Sequence, residues 1–305
     1  MKIMHNPTIN WEGDTRNLPK ISIVTPCFNH ASYIEATILS VLSQGYPNLE
    51  YIVLDGGSTD GSAEIIKKYS DYLSYWHSKP DAGQYQAIQA GFDRSTGEIM
   101  AWLNSDDMLQ RNSLWTVAEI FTKMPQVEWL LGNPTWYDSM GRTVVAGQPP
   151  RWSRYRYLRG DYKWIQQESV FWIRSLWNAA GCSLDTSYAY AADFELWMRF
   201  FRHAKLYSTT AILSGFRSAS SGQKGRKYRA LYVEEVEEII SSEPLTVNDM
   251  KILKGIAKIE SWRNIPIVRI FSGRIRRIRR IYESHLGLPP VIKFNLTTNA
   301  FEFDY

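Results

Sequence analysis

The sequence predicts an α/β domain in which helices cover a mixed, mostly parallel central sheet, followed by a C-terminal helical extension. Two observations support this fold class. Segments with strand character and segments with helical periodicity alternate three times within about 90 residues, and this alternation favours parallel strands joined by helices. In addition, three predicted strands end in short polar stretches, and the carboxyl ends of parallel strands share one edge of their sheet.

The predicted elements follow one another in a regular order. Ile21–Thr25 is an apolar, β-branched run and predicts a buried strand. Ile34, Ile38 and Val41 recur at the spacing of one helix face, which predicts a helix. A second apolar strand ends at Asp55. The same patterns predict a helix over 61–70, a short strand near 73–78, a helix over 83–92 and a strand that enters 98–107.

Length and composition place the chain among globular proteins. Its 305 residues are 44% hydrophobic, enough for one large domain with an appendage or for two domains. Cys27 and Cys182 form no disulfide framework or metal-binding cluster, which favours a reducing compartment. The first 20 residues lack the apolar core of a signal peptide, and no apolar run reaches the roughly 18 residues of a membrane span. We therefore expect a cytoplasmic protein.

Polar stretches follow three of the predicted strands: TPCFN, LDGGSTDGS and LNSDD. They contain four aspartates, Asp55, Asp60, Asp106 and Asp107. If these strand ends meet at one edge, the carboxylates repel each other unless a cation lies between them. A divalent metal that bridges a nucleotide diphosphate would meet that need. The alternative is structural, because Gly, Ser and Asp also suit turns and helix caps.

Two common phosphate-binding motifs are absent from the chain. It contains neither GxGxxG nor GxxxxGK[ST], the glycine-rich loops of dinucleotide-binding oxidoreductases and P-loop ATPases. Both of those enzyme classes are therefore poorly supported. Nucleic-acid binding is not expected of this domain either, because the strand-end carboxylates would repel phosphate groups.

Two long segments resemble the family-2 glycosyltransferases. They are ISIVTPCFNHASYIEATILSVLSQGYPNLEYIVLDGGSTDGSAEII and KPDAGQYQAIQAGFDRSTGEIMAWLNSDD. The similarity extends over 19–222, about two-thirds of the chain. It implies a GT-A-type nucleotide-sugar-binding fold and an inverting transfer of a sugar from a nucleotide-diphosphate sugar to an acceptor hydroxyl. It also implies a divalent metal, Mn²⁺ or Mg²⁺.

The resemblance further implies a donor site at the strand ends. Thr25 and Pro26 end the strand that holds the nucleotide in the family, and Asp55 matches the carboxylate that binds the base. NSDD stands in the place of the family's DxD motif, with Asn104 instead of its usual first Asp. The two aspartates that follow are expected to contact ribose and metal, in either division of labour. The expected nucleotide-sugar site is Thr25, Pro26, Asn29, Asp55, Asp81, Gln84, Asn104 and Asp106, with Asp106 and Asp107 as metal ligands.

A carboxylate in the second half of the chain is the expected general base. In YAADFELWMRF, Leu196, Trp197 and Phe200 recur at helical spacing, with Asp193 near the start of that helix. Inversion requires a carboxylate that removes the acceptor proton on the sugar face opposite the leaving diphosphate, and the resemblance assigns this role to Asp193. Glu195 competes, but residues i and i+2 do not share a helix face. Helix capping by Asp193 is the structural alternative.

The acceptor side is defined by a second stretch of resemblance. IQQESVFWIRSLWNAAG is similar to the segment that forms the acceptor-side wall in the family. A departure occurs later, where Ala219 replaces a His that often contacts metal or diphosphate. The basic residues Lys224, Arg226 and Lys227 then either neutralise the diphosphate or form a solvated loop. The acceptor-side candidates are Gln166, Gln167, Glu168 and Glu195.

Positive charge is concentrated in the C-terminal tail. Residues 245–305 carry 11 Lys/Arg and 5 Asp/Glu, whereas the whole chain has a net charge of +4. Within Pro266–Tyr282, apolar residues occupy one helical face and arginines the opposite one. This pattern predicts either a helix that lies in an anionic membrane interface, at the inner face of the membrane, or a helix packed on the catalytic domain with a solvated basic face.

These observations divide the chain into an N-terminal tail over 1–18, a GT-A glycosyltransferase domain over 19–242 and a basic helical extension over 243–305. We expect an inverting glycosyltransferase that acts on a glycan or lipid-linked acceptor in cell-surface polysaccharide or glycolipid assembly. A sugar-phosphate nucleotidyltransferase is an alternative, but it needs a Gly-rich activating loop near the N-terminus, and TPCFNHASY is not one. A non-catalytic nucleotide-sugar or glycan-binding module is the other alternative, and it would show no turnover.

Overall fold

The computed structural model describes residues 17–218, 228–263 and 281–305. Helices and strands alternate through the first part of the chain as the sequence predicts. The strands are β1 (Ile21–Cys27), β2 (Leu49–Asp55), β3 (Tyr75–Ser78), β4 (Ile99–Trp102), β5 (Met108–Leu109), β6 (Trp129–Leu131), β7 (Thr135–Tyr137), β8 (Thr143–Ala146), β9 (Val170–Ile173), β10 (Tyr207–Thr209), β11 (Ser214–Arg217), β12 (Val291–Asn295) and β13 (Ala300–Asp304). The helices are α1 (Ile34–Leu42), α2 (Ser62–Lys67), α3 (Gln84–Phe92), α4 (Ser113–Lys123), α5 (Arg154–Leu158), α6 (Arg174–Ala179), α7 (Ala192–Phe200), α8 (Arg229–Ser242) and α9 (Val247–Arg263).

Nine of the strands in the described residues form the central sheet, in the order β13-β12-β10-β6-β9-β4-β1-β2-β3. Strands β4, β1, β2 and β3 are parallel neighbours, as are β6, β10 and β12. Strand β9 is antiparallel to both of its neighbours, and β13 is antiparallel to β12. The predicted mixed, mostly parallel sheet is therefore confirmed. A second sheet has the order β5-β11-β7-β8.

Alternate side chains along β1 pack into two separate core layers, one on each face of the sheet. Ile21 and Ile23 belong to the layer that includes apolar residues of α1, α2 and α4. Val24 belongs to the opposite layer, which includes residues of α3, α6, α7 and α8. Because both faces of the sheet are covered, β1 and β2 are buried along nearly their whole length rather than alternating between buried and exposed residues.

An aromatic cluster joins α7 to the sheet. Trp197 of α7 stacks on Trp102 of β4, with ring centroids 5.6 Å apart, and also contacts Trp129 of β6 and Trp172 of β9. All four indoles are at most 1% exposed. Large aromatic side chains dominate core energetics because each one removes so much apolar area from water. The cluster therefore holds the middle of α7 against β4, β6 and β9.

The C-terminal region contains two strands that the sequence analysis did not predict. Strand β12 pairs in parallel with β10, and β13 pairs with β12, so residues after 290 extend the central sheet. Ile292 is fully buried. The expectation of helix alone after residue 242 is therefore corrected: α9 is present, and a hairpin follows later in the chain. The boundary at residue 242 stays a prediction.

Several predicted features of the chain lie outside the described residues. Among them are Ala219, the basic positions within 224–227 and most of the predicted basic helix Pro266–Tyr282. In the ranges that the structure does describe, no helix has the length and apolar character needed to cross a bilayer.

Candidate functional site

The ends of the three central parallel strands lie side by side, as predicted. In the β1–β2 pair, Cys27 is opposite Asp55, and in the β1–β4 pair, Val24 is opposite Trp102. The stretches that follow these strands therefore occupy the same edge of the sheet. Ligands in open α/β folds bind at this edge, outside the carboxyl ends of the strands.

Asp55 organises the turn that follows β2. The residue is fully buried, and its Oδ2 accepts hydrogen bonds from the amides of Gly57 and Ser58, at 3.2 and 2.9 Å, and from Ser78 Oγ at 2.6 Å. Its Oδ1 accepts a hydrogen bond from Ser58 Oγ. The structural alternative, in which this Asp stabilises a turn, is therefore confirmed, because both of its carboxylate oxygens accept hydrogen bonds within the chain. A contact of Asp55 with a nucleotide base stays a prediction.

The turn after β2 is tied to the loop after β1. Asn29 lies in the left-handed region at φ 53°, its amide donates to Ser58 Oγ at 2.7 Å, and its Oδ1 accepts from the amide of Thr59 at 3.0 Å. Asp60 accepts from the amide of Ala31 at 2.9 Å. Asn29 and the turn therefore form one connected surface at the edge of the sheet.

Three other predicted donor-site residues differ in their access to this edge. Thr25 is fully buried with its hydroxyl 3.1 Å from the Tyr51 hydroxyl, and Pro26 is buried within β1. Neither residue therefore offers an exposed surface to a nucleotide in this structure. Asp81 is exposed and lies over the turn, since a Cβ added to Gly56 would be 2.9 Å from its Oδ2.

A chain of amide side chains joins residues predicted for the donor site to one predicted on the acceptor side. Gln84 Nε2 donates to Asn104 Oδ1 at 2.8 Å, and Asn104 Nδ2 faces Gln167 Oε1 at 3.3 Å and Asp107 Oδ2 at 3.5 Å. Gln167 Nε2 in turn donates to the carbonyl of Trp102 at 2.7 Å. The amide of Asn104 can donate toward Asp107, which an Asp at this position could not do. The replacement in the DxD position thus removes one charge and adds one donor.

Arg217 of β11 secures the two aspartates of the NSDD stretch. Its amide donates to Asp107 Oδ1 at 2.9 Å, and its Nε donates to the carbonyl of Asp106 at 2.6 Å. Arg217 is 3% exposed and comes from a strand that pairs with β5, directly after the aspartates. The sequence analysis noticed the Phe-Arg pair here but did not assign Arg217 to the site, because nothing local indicates that it reaches a loop 110 residues earlier in the chain.

The acidic side chains at this place are buried and close enough to affect one another. Asp107 is 1% exposed and Glu168 is 4% exposed. Burial, reinforced by the negative charges of Asp106 and Glu168, raises the pKa of Asp107 well above its usual range. Burial, reinforced by Asp106 and Asp193, raises the pKa of Glu168 to about 8. Glu168 is therefore close to both Asp106 and Asp193, and with a pKa of about 8 it is mainly protonated at neutral pH.

The three polar residues predicted on the acceptor side have different surroundings. Gln166 uses its side chain on both backbone groups of Thr135, with contacts of 3.0 and 3.2 Å, and so holds β7 in place. Gln167 belongs to the amide chain. Within the part of the chain that the structure describes, Oε1 of Glu168 has no hydrogen-bond partner. Glu168 is thus the member of this group with an oxygen left for a ligand.

The donor set at the aspartate pair fits a hard divalent cation. Carboxylate and amide oxygens suit Mg²⁺ and Mn²⁺. Burial is the main cause of the raised pKa values of Asp107 and Glu168, and the negative charges of neighbouring carboxylates raise them further. Among residues 17–218, 228–263 and 281–305, no three His, Cys, Asp or Glu side chains are grouped so that they alone could hold a metal. A cation here would therefore take most of its ligands from a diphosphate or from water.

Asp193 and Glu195 have different partners although they lie two residues apart on α7. Glu195 forms an ion pair with Arg199, at 2.6 Å between Oε2 and the guanidinium. Asp193 is partly buried, and burial raises its pKa to about 7, with a further contribution from Glu235. Its Oδ1 accepts from the amide of Phe194 at 2.8 Å, but it does not cap the helix, whose N-cap is Ala191. Asp193 is therefore not the N-cap residue, although its side chain satisfies one free amide of the first turn.

Comparison with known proteins gives a consistent family assignment. The family model described as "Glycosyl transferase family 2" matches residues 22–172. An uncharacterized glycosyltransferase of Rickettsia prowazekii is 27% identical over 254 residues, which cover 78% of this chain and 76% of the relative. An uncharacterized glycosyltransferase of Mycobacterium tuberculosis is 30% identical over 190 residues, which cover 59% of this chain and 68% of the relative.

Two solved structures share the fold at low sequence identity. S. aureus TarS 1-349 in complex with UDP-GlcNAc has a TM-score of 0.58 and 16% identity, and the match covers 77% of this chain and 70% of that chain. The mannosyltransferase PcManGT from Pyrobaculum calidifontis, in complex with GDP-Man and Mn²⁺, has a TM-score of 0.56 and 14% identity, with 90% of this chain and 86% of that chain covered. At these identities the similarity concerns the fold, and it confirms the predicted GT-A type.

Proposed function

The chain belongs to glycosyltransferase family 2, and on that premise we propose that it transfers a sugar from a nucleotide-diphosphate sugar to an acceptor hydroxyl with inversion at the anomeric carbon. The observation that carries this proposal is Asp193. It is a partly buried carboxylate whose pKa is raised to about 7, and its neighbour Glu195 is held by Arg199. A base with a pKa near the working pH is suited to proton transfer.

The donor is proposed to bind along the edge formed by the ends of β1, β2 and β4. Asn29, Asp55 and Asp81 surround the turn after β2, where a nucleoside would lie. The diphosphate would reach the aspartates that follow Asn104. In support, TarS was solved with UDP-GlcNAc and PcManGT with GDP-Man.

Asp106 and Asp107 are the residues proposed to hold Mn²⁺ or Mg²⁺. Such an ion, when bound, neutralises charge on the leaving diphosphate. Arg217 keeps the aspartate pair in place through its bonds to Asp107 Oδ1 and to the Asp106 carbonyl. Asn104, which donates toward Asp107, lowers the negative charge at the site relative to an Asp. Two observations support a divalent cation at this place: carboxylate oxygens lie close together at Asp106 and Asp107, and PcManGT was solved with Mn²⁺.

The proposed chemistry requires one proton transfer within the chain. The acceptor oxygen forms a bond to the anomeric carbon, while the bond from that carbon to the diphosphate oxygen breaks and the nucleotide diphosphate leaves. Asp193 takes the proton from the acceptor hydroxyl. Glu168, whose pKa of about 8 keeps it mainly protonated at neutral pH, would donate a hydrogen bond to a hydroxyl of the sugar or acceptor.

The donor assignment is tested by thermal shift with UDP-GlcNAc and GDP-mannose, each with and without Mn²⁺. We expect a metal-dependent rise in Tm for the parent protein, because a ligand that binds only the folded state stabilises it. Asp106→Ala and Asp107→Ala should reduce that rise. Asp71→Ala, which alters an exposed carboxylate, is the control and should respond as the parent does. If both site variants also respond as the parent does, the donor site lies elsewhere.

The base assignment is tested by Asp193→Asn. The amide has nearly the shape of the carboxylate but cannot accept the proton, so donor binding should persist while turnover falls about 10²–10⁴-fold. Turnover is measured as release of nucleotide diphosphate from the sugar nucleotide that gives the thermal shift. Glu195→Gln is the matched comparison and should cost much less. If Glu195→Gln is the inactive variant and Asp193→Asn is active, the base is Glu195.

A glycan or lipid-linked acceptor, used in cell-surface polysaccharide or glycolipid assembly, is proposed for this enzyme. The support is the charge pattern of the tail, where 11 Lys/Arg oppose 5 Asp/Glu over 245–305. A basic amphipathic segment of this kind would bring a cytoplasmic enzyme to the inner face of an anionic membrane. An acceptor anchored in the membrane would then be within reach of the site.

A further inference from the structure

A carboxylate from another helix holds the segment that leads into α7. Glu235 lies on α8, and its Oε1 accepts a hydrogen bond from the amide of Ala189 at 2.9 Å. Its Oε2 accepts from the amides of Tyr190, at 2.9 Å, and Ala191, at 2.7 Å. Ala191 is the N-cap of α7 and makes no side-chain cap bond. One side chain therefore satisfies three successive backbone donors just before the helix that carries Asp193.

The same segment is also held by α3. The hydroxyl of Tyr85 donates to the carbonyl of Tyr190 at 3.0 Å and also lies against the amides of Ala192 and Asp193. Residues 189–191 are thus fixed between α3 and α8. Since a carboxylate that accepts backbone amides forms strong, charge-assisted hydrogen bonds, Glu235 is the stronger of the two attachments.

We propose that Glu235 is a positioning residue for the general base: by holding the amides of 189–191, it fixes where α7 begins and therefore where the Asp193 carboxylate lies. This inference rests on the proposed function, in which Asp193 accepts the proton. It adds a residue that does not touch the substrate and that lies 42 positions after the base in the sequence. The aromatic cluster fixes the body of α7, whereas Glu235 fixes its beginning.

Glu235 also has an electrostatic effect that a purely structural contact would lack. The titratable groups that face Asp193 come from four elements: Glu235 and Tyr232 of α8, Tyr85 of α3, Tyr157 of α5 and Glu168 before β9. Burial is the main cause of the raised Asp193 pKa, and the charge of Glu235 raises it further. Removal of that charge should lower the pKa of Asp193 and leave the base ionised at lower pH.

The test compares Glu235→Gln with Glu238→Gln, an exposed carboxylate on the same helix. The Asp193 carboxyl is followed by ¹³C NMR titration in protein labelled at aspartate Cγ, and its signal is assigned by its loss in Asp193→Asn. Amide hydrogen exchange of residues 189–191 is measured in parallel. For Glu235→Gln we expect the midpoint of the Asp193 titration to fall by about half a pH unit and exchange at 189–191 to quicken about tenfold. Glu238→Gln should change neither.

These readouts need no substrate, so they separate this inference from the proposed function. If Glu235→Gln leaves both the titration and the exchange as in the parent, Glu235 does not position Asp193, whatever Asp193→Asn does to turnover. If both quantities change as expected while Asp193→Asn retains full turnover, the positioning holds but the base assignment fails. The pH profile of turnover gives a third readout: its acid limb should move to lower pH in Glu235→Gln and stay unchanged in Glu238→Gln.

Discussion

At the scale of single residues, the surroundings of each carboxylate decide what it can do. Asp55 and Asp193 are both acidic residues in polar stretches of the chain. Asp55 accepts three hydrogen bonds from its own turn and one from Ser78 of β3, whereas Asp193 is partly buried with a pKa of about 7. Glu195 is neutralised by Arg199. Only a carboxylate that is not fully bonded within the chain has an oxygen for a substrate proton.

Glu168 gives a prediction about the dependence of stability on pH. Its pKa is about 8 in the folded state, against roughly 4.3 in an unfolded chain. Between these values the folded state binds more protons than the unfolded state, so this group favours folding at low pH, and its contribution is lost as the pH rises through 8. The glutamine of the Glu168→Gln variant cannot ionise, so the variant lacks this pH-dependent contribution. In the unliganded protein we expect Glu168→Gln to have a Tm above that of the parent at pH 8.5, by about 2 °C or more.

The comparison at low pH makes this prediction specific. At pH 5 Glu168 is protonated in the folded parent, so the parent and Glu168→Gln should melt at nearly the same temperature. Glu237→Gln alters an exposed carboxylate and should shift Tm little at either pH. Differential scanning calorimetry at both pH values makes the measurement. If Glu168→Gln instead melts below the parent by the same amount at pH 5 and at pH 8.5, Glu168 is ionised in the folded protein.

At the scale of elements, the site depends on how closely α3 approaches the sheet. Gly91 faces the sheet, and a Cβ at this position would collide with Val24 of β1 and lie 3.3 Å from Leu54 of β2. The glycine lets α3 lie close enough for Gln84, at its other end, to donate to Asn104. Helix α3 therefore links core packing to the orientation of the DxD-like stretch.

Gly91→Ala should destabilise the protein even though Ala is the better helix former. The gain in helix propensity is about 1 kcal/mol, whereas forcing a methyl group into a packed core costs about 1–3 kcal/mol. Because Val24 is fully buried on a central strand, we expect the packing cost to prevail and Tm to fall. Urea denaturation measures the change in unfolding free energy.

Gln86→Ala on the same helix is the control, and its unfolding free energy should stay within about 0.5 kcal/mol of the parent's. If Gly91→Ala is instead more stable than the parent, α3 can move away from the sheet.

At the scale of the whole molecule, the end of the chain completes the central sheet. Strand β12 covers β10, and Ile292 is fully buried while Leu296, in the turn after the strand, is 90% exposed. Ile292→Ala should lower the free energy of unfolding by about 2–4 kcal/mol. Leu296→Ala is the matched control and should change it by less than about 0.5 kcal/mol. Equal, small effects in urea denaturation would show that the C-terminal hairpin does not contribute to the folded core.

The basic segment 266–280 leads to a prediction about the whole molecule at a membrane. We expect the full chain to co-sediment with anionic vesicles at low salt, because each Arg near such a surface contributes about 1 kcal/mol. Replacement of the six arginines of this segment by glutamine should abolish the effect, and vesicles of neutral lipid should not bind the parent. The interaction is screened within a Debye length of about 8 Å at physiological ionic strength. A parent protein that never sediments with anionic vesicles contradicts the membrane proposal.

Much of the architecture was predictable because it depends on local patterns. Apolar runs and helical periodicity identified β1, β2, α1 and α3, since burial on one or both faces selects residues at fixed spacing. The shared edge of the strand ends followed from the parallel arrangement. The helix that carries Asp193 was predicted for the same reason. The hairpin of β12 and β13 was missed because the arginine-rich pattern before it favoured helix throughout the tail, although VIKFN and AFEFD have strand composition.

The sequence by itself therefore determined the fold class, the shared edge of the strand ends and the helix that carries Asp193. Tertiary structure alone decided which carboxylates have oxygens left for a ligand and which residues hold them. Arg217 reaches Asp107 across 110 positions, and Glu235 reaches Ala191 across 44. Hydrogen bonds and burial of this kind depend on which surfaces pack together in three dimensions. The pKa of a buried carboxyl follows from that packing, because it depends on how much water and how many charges surround the group.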